Sequence, residues 1–288
     1  MTVATVAGLA TACSSSANST PKARRGHTTT TTATRSTAPT TSSPSTPTTA
    51  AVPAQGVLVY FVHGNGLAAA SRNVPVGDAQ HAIQALLAGP VAADRTLGDT
   101  TTIPPGTILR SVQLSGDTAT VDLSAAFTSG APLASVLRDR VAQVVYTATQ
   151  FAGVSRVAFA IDGTPARTIG PSNFQVEPPL SRLDLTAALD TVLTDAPAPG
   201  DVVTSPMTVR GMSDTFEAQV SLRLRDANGR VLADTSTQAT SGNGVWGTFS
   251  AAISFAKPST ATGTLEVFDA SEGDGAGAHG QTIPVRFR

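Results

Sequence analysis

The sequence changes its period at Asp195-Ala196-Pro197-Ala198-Pro199-Gly200. Upstream of that run, apolar residues twice recur at three- and four-residue spacing; downstream they never do, so a region containing helices is followed by one built of strands. With its prolines and glycine the run reads as a hinge, and residues 190–200 are assigned to a linker. Beyond it, Phe216, Ala218, Val220, Leu222 and Leu224 alternate with Glu217, Gln219, Ser221, Arg223 and Arg225, the period of a strand with one dry and one wet face. Asn228-Gly229 is hairpin chemistry, leading into Val231-Leu232-Ala233. Residues 246–255, 265–268 and 283–287 add further strands. Six or seven short strands without a helix predict a β-sandwich of immunoglobulin type over residues 201–288. The chain has one cysteine, Cys13, so no disulfide pins that sandwich, and Trp246, Phe249, Ile253 and Phe255 are its expected core.

Residues 56–189 form the other foldable region. Residues 57–62 are a continuous apolar run, as in a central strand. Residues 77–90 read as a helix, capped by Asp78, with Ile83, Leu86 and Leu87 on one face and Gly89-Pro90 as its stop. Ile103-Pro104-Pro105-Gly106-Thr107 is a rigid turn. Strands at 108–114 and 118–123 flank Ser115-Gly116-Asp117. A longer helix over 133–151 carries Leu133, Val136, Leu137, Val141, Val144, Val145, Ala148 and Phe151 at helical spacing, with Gly153 beyond its end. Val157, Phe159 and Ile161 then alternate into Asp162-Gly163. The order β-α-β-β-α-β predicts an α+β domain of ferredoxin-like, split βαβ arrangement, one sheet with helices on one face.

Residues 14–55 are almost entirely Thr, Ser, Ala and Pro. Such a segment has nothing to bury and cannot recover the entropy of ordering its backbone, so it is expected to be a disordered tether. It reads equally as an O-glycosylated stalk or as a plain spacer. Before it, residues 3–12 are small and apolar and end at Cys13, with Ser14-Ser15-Ser16 following. That arrangement resembles a bacterial lipoprotein signal over residues 1–13, which makes Cys13 the expected lipidation site; the run is too short to span a bilayer. Lys22, Arg24 and Arg25 stand close enough to touch anionic headgroups beside such an anchor. The net charge of -1 supplies no field that would recruit nucleic acid, and none is expected as a partner.

The sequence holds few reactive constellations. Tyr60-Phe61-Val62-His63-Gly64-Asn65-Gly66 has the form of a hydrolase oxyanion loop, but acyl transfer also needs a nucleophile elbow, Gly-x-Ser-x-Gly, and no such pentapeptide occurs. Gly64 and Gly66 then serve a turn at the strand end. The remaining histidines are His27 in the tether, His81 in a helix and His279 in a glycine-rich loop. Asp269-Ala270-Ser271-Glu272-Gly273-Asp274-Gly275 lacks the spacing of a calcium loop. Neither a metal nor a cofactor is expected, and no residue is assigned a catalytic role. Arg223 and Arg225 are either an ordinary solvated face or a contact for carboxylate or glycan.

Two sets of residues carry a family resemblance. Residues 77–90, the Ile103–Thr107 turn and Val121-Asp122-Leu123-Ser124 before Phe127 resemble the GerMN domain of bacterial sporulation and spore-germination proteins. Residues 199–206, Val209-Arg210-Gly211, Thr215–Ala218, Trp246–Phe249, Leu265–Phe268 and Ile283-Pro284-Val285 resemble the immunoglobulin-like domain that follows GerMN in many of them. The resemblance implies a non-enzymatic envelope lipoprotein, of actinobacterial kind, on the extracytoplasmic face of the cell membrane. It implies a GerMN domain that binds an envelope protein or its own copies, and the open edge of its sheet is the expected docking site. The alternative is a binder of cell-wall glycan or a small ligand in a groove between the domains, with Tyr60, Trp246 and arginine side chains stacking on sugar.

Overall fold

The computed structural model describes residues 54–130, 133–270 and 280–288. The expected signal segment with Cys13, the tether with Lys22, Arg24, Arg25 and His27, and Ser271–His279 of the acidic glycine-rich loop lie outside the described residues.

The first domain opens with a hairpin of β1 (Gln55–His63) and β2 (Gly66–Val74). Helices α1 (Ala79–Leu87) and α2 (Ala92–Leu97) follow. Asp78 caps α1 by accepting a hydrogen bond from the His81 amide at 2.8 Å, as its position predicts. Next come β3 (Leu109–Ser115), β4 (Thr118–Leu123), α3 (Ala134–Ala148), β5 (Arg156–Ile161) and β6 (Thr164–Pro165), with a short hairpin of β7 (Thr168–Ile169) and β8 (Phe174–Gln175). The four-stranded sheet runs β3-β4-β5-β6, with β4 and β5 parallel.

Helix α3 lies buried, and Arg140 to Ala148 form an unbroken buried run. A helix enclosed on all sides must satisfy its polar side chains internally. Arg140, Gln143 and Thr147, with Gln150 just past the helix end, make a polar stripe that does so. Arg140 donates to the carbonyls of Thr102, Phe127 and Ser129. The other three close the free edge of β1. Gln150 donates to the Leu58 carbonyl at 2.6 Å and accepts from the Leu58 amide at 2.7 Å. Thr147 accepts from the Tyr60 amide, and Gln143 donates to the Tyr60 carbonyl, both at 3.2 Å. Thr100 then exchanges backbone hydrogen bonds with Val62.

This edge explains where the structure departs from the split βαβ expectation. The α+β class holds, but β1 does not join the sheet of β3, β4 and β5; it pairs only with β2. Helix side chains occupy the polar groups that a neighbouring strand would have taken. Strand β2 has no counterpart in the sequence reading, because Gly66-Leu67-Ala68-Ala69-Ala70 lacks the branched and aromatic residues that mark a strand.

The second domain is a sandwich of β9 (Val192–Ala196), β10 (Val202–Val203), β11 (Met207–Ser213), β12 (Gln219–Asp226), β13 (Val231–Gln238), β14 (Gly247–Ile253), β15 (Thr262–Phe268) and β16 (Gly280–Phe287). A small sheet, β14-β11-β9, faces a larger one, β10-β16-β15-β12-β13. Val220, Leu222, Leu224, Leu265 and Val267 are fully buried in its core with Phe249 and Ile253.

Three sequence expectations are corrected here. The start of the Asp195–Gly200 hinge is the end of β9, held by pairing with β11. Phe216 is 58% exposed, because Glu217 and Ala218 take positive φ angles of 53° and 58° and the strand starts only at Gln219. Trp246 leaves the sandwich core for that of the first domain, while Phe255 is half-buried against Phe287.

Candidate functional site

The small sheet is apolar on both faces, which is why β9 begins with a continuous buried run instead of alternating. Val192, Val209 and Phe249 face the sandwich core, whereas Leu193 and Met212 belong to the core of the first domain and half-buried Trp246 packs against it. One apolar interior therefore crosses the seam between the domains. The close approach also requires Gly66, where a Cβ would stand 2.5 Å from the backbone nitrogen of Asp190. Gly66 thus serves proximity, and Gly64, at φ 57°, serves the turn.

A polar clamp spans the same seam. The Tyr60 hydroxyl donates to Asp195 at 2.5 Å, and Arg182 meets Asp195 at 3.0 Å and the Tyr60 oxygen at 3.0 Å. Arg182 also donates to the Tyr146 carbonyl and the Thr149 hydroxyl, and its guanidinium lies over both tyrosine rings at about 5 Å. Burial pushes the Tyr60 phenol far above its ordinary range, and the Asp195 charge adds to that shift. Burial opposes the Arg182 charge, but the facing Tyr60 and Asp195 oxygens outweigh it and keep the guanidinium protonated. Gln281 adds a second tie, accepting from the Thr194 amide at 2.8 Å and donating to the Leu67 carbonyl at 2.9 Å.

Two recesses flank this clamp. The larger, about 950 Å³, opens between β1, β9 and the small sheet and is lined by Tyr60, Arg182, Asp195, Arg210 and Thr248. It occupies the groove expected for sugar, but the aromatic rings assigned to stacking are not on offer. Tyr60 has no exposed surface, and Trp246, half-buried against the first-domain core, does not line this recess. The smaller recess, about 300 Å³, is bounded by His63, Asp99, Leu97, Thr194, Pro197 and Ile283, among others.

The His63 ring bonds Asp99 through Nδ1 at 2.8 Å, and that hydrogen bond raises the imidazole pKa. His81 bonds Asp78 in the same way at 2.7 Å. Neither ring meets a serine hydroxyl among the described residues. Arg223 and Arg225 lie in a cross-strand ladder with Asp234 and Glu266, the ordinary outcome for a wet sheet face. Asp269 accepts from the Phe216 amide. Among the described residues, no three of His, Cys, Asp and Glu cluster closely enough to hold a metal ion.

Sequence reasoning missed the clamp, because nothing local links Tyr60, Arg182 and Asp195. The stripe did leave a signal: Arg140, Gln143 and Thr147 on α3 and Gln150 just past its end fall at i, i+3, i+7 and i+10 of an apolar run.

Residues 58–167 match the family described as sporulation and spore germination, and residues 191–276 match the immunoglobulin-like domain of bacterial spore germination. Among solved structures, the tandem GerMN domains of the sporulation protein GerM from Bacillus subtilis are 17% identical, with a TM-score of 0.40 over 70% of this chain. The chain covers 61% of that structure, less than two thirds of its length. The first GerMN domain of the same protein is 23% identical, with a TM-score of 0.38, over 44% of this chain and 98% of its own. No curated protein matches the chain. Residues 58–167 are thus a sporulation and spore germination domain, and residues 191–276 an immunoglobulin-like domain of bacterial spore germination.

Proposed function

We propose that this protein is a non-enzymatic, extracytoplasmic envelope component, anchored by lipid at Cys13, that docks a partner protein through the free edge of β3. The observation that carries the reading is that edge. β3 ends the order β3-β4-β5-β6, and among the described residues no strand pairs with its outer side. A register shift at Arg110 disturbs its start, but Ser111–Ser115 run in regular pairing with β4. Leu114 is 64% exposed, and Ile108, just before the strand, is 63% exposed. Exposed edges are usually blunted by proline or lysine; β3 has neither, and its one charge, Arg110, is paired with Asp162. An extended segment of a partner can add to such an edge through backbone hydrogen bonds, with the two apolar side chains setting register.

Two experiments test this reading. A photo-reactive residue at Gln113 should yield a specific adduct in intact cells, whether with another envelope protein or a second copy of this chain. Ile108→Lys with Leu114→Lys should cut that adduct by about tenfold, the loss of roughly 1.4 kcal/mol of association, without lowering thermal stability, since both side chains are exposed. An adduct of unchanged yield would remove β3 as the docking site. For the anchor, a palmitate analogue should label the wild type and not Cys13→Ala; equal labelling of both would remove the lipid.

A further inference from the structure

We propose, resting on the β3 docking reading, that the partner at that edge is a second copy of this chain, paired antiparallel about a two-fold axis through Gln113.

The direction of the backbone groups sets the geometry. Ser115 and Thr118 close a two-residue turn over Gly116-Asp117 and so form a hydrogen-bonded pair, and such pairs alternate along an antiparallel ladder. Ser111, Gln113 and Ser115 therefore commit their amides and carbonyls to β4. Val112 and Leu114 turn theirs outward, where among the described residues no hydrogen bond meets them. Two copies meeting at this edge can pair every residue of the regular stretch Ser111–Ser115 only with Gln113 opposite itself. That register sets Val112 of each copy against Leu114 of the other, and both pairs are of the kind that exchanges backbone hydrogen bonds.

The side chains fit the same register. Leu114 and Val112 stand opposite Ala119 and Val121, both buried, and so point to the side of the sheet that packs on the core. Leu114 is nevertheless 64% exposed, because the sheet stops at β3. A second copy would extend the sheet and bring Val112 and Leu114 of both chains side by side, continuing the apolar layer. On the opposite side Gln113 meets Gln113 and Ser111 meets Ser115, so no like charges face each other. Beyond the paired stretch, Arg110 of each copy comes beside the Gly116-Asp117 turn of the other, and opposite charges approach. A register with Val112 opposite itself would instead set Arg110 against Leu114 and leave Ser115 unpaired.

Disulfide trapping on the full chain, with Cys13 replaced by alanine, tests this pairing. Gln113 meets its own copy at a non-hydrogen-bonded position, where facing Cα atoms stand about 4.5 Å apart, within disulfide reach. Gln113→Cys should form a covalent dimer under mild oxidation. Ser111→Cys mixed with Ser115→Cys should also cross-link, whereas each alone should give about tenfold less dimer, since like positions then lie about 13 Å apart. A yield from Gln113→Cys no greater than from Ser115→Cys alone, or no gain on mixing the two serine variants, overturns the self-pairing. If a photo-reactive residue at Gln113 then captures a different envelope protein in intact cells, the edge docks a partner other than its own copy. If it captures nothing, the docking reading of β3 falls as well.

Discussion

Replacing Arg182 with alanine should lower the stability of the folded unit by about 3 kcal/mol, read as a lower denaturant midpoint at unchanged slope. The substitution strands two groups at once. Asp195 keeps only 13% of its side chain exposed and would lose its ion pair, while the Tyr60 hydroxyl, fully buried, would lose one of its partners. Breaking a fully buried pair costs about 3–5 kcal/mol. The lower end applies because Arg182 itself remains 16% exposed. The triple variant Tyr60→Phe, Arg182→Met and Asp195→Leu should recover most of the loss, since apolar residues of similar volume often replace a buried pair without cost and the phenylalanine leaves no buried hydroxyl unpaired. A loss of only about 0.5 kcal/mol in Arg182→Ala, the level of a surface pair, would show that the clamp does not hold the seam.

Gln143→Leu should cost about 2–6 kcal/mol, although it keeps nearly the same volume and places an apolar side chain in an apolar interior. Gln143 is fully buried, and its amide donates to the Tyr60 carbonyl while its oxygen accepts from the Thr102 amide at 3.0 Å. Leucine leaves both backbone groups unpaired, at about 1–3 kcal/mol each. Thermal unfolding should register the loss, and the Thr102 amide should exchange its hydrogen faster than in the wild type. Stability within about 0.5 kcal/mol of the wild type would mean that another group closes the edge of β1.

These two sites mark the boundary of what the sequence discloses. Local rules are written in neighbouring residues, and there the reading succeeds: Asp78 caps α1, Gly116 at φ 59° turns β3 into β4, and Gly229 at φ 81° turns β12 into β13. Alternation likewise identifies Val220, Leu222 and Leu224 as core. The clamp was illegible because Tyr60, Arg182 and Asp195 are brought together only by the docking of one domain on the other. The departure from a split βαβ sheet has a subtler origin. Counting apolar positions finds α3 but passes over the glutamines and threonine between them, and those decide that β1 needs no second strand. Of the smaller recess, His63 alone drew notice in the sequence, as a hydrolase residue. Its partners come from α2, β9 and β16 or the turns beside them, and no spacing rule connects them.

The chain's single tryptophan, Trp246, is encoded beside β14 of the sandwich but packs, half-buried, against the apolar cluster that crosses the seam. Its indole is therefore an intrinsic optical reporter of the contact between the domains. Emission from that ring registers whether that cluster stays closed, so separation of the two halves would redden the fluorescence even while every strand of the larger sheet stays paired.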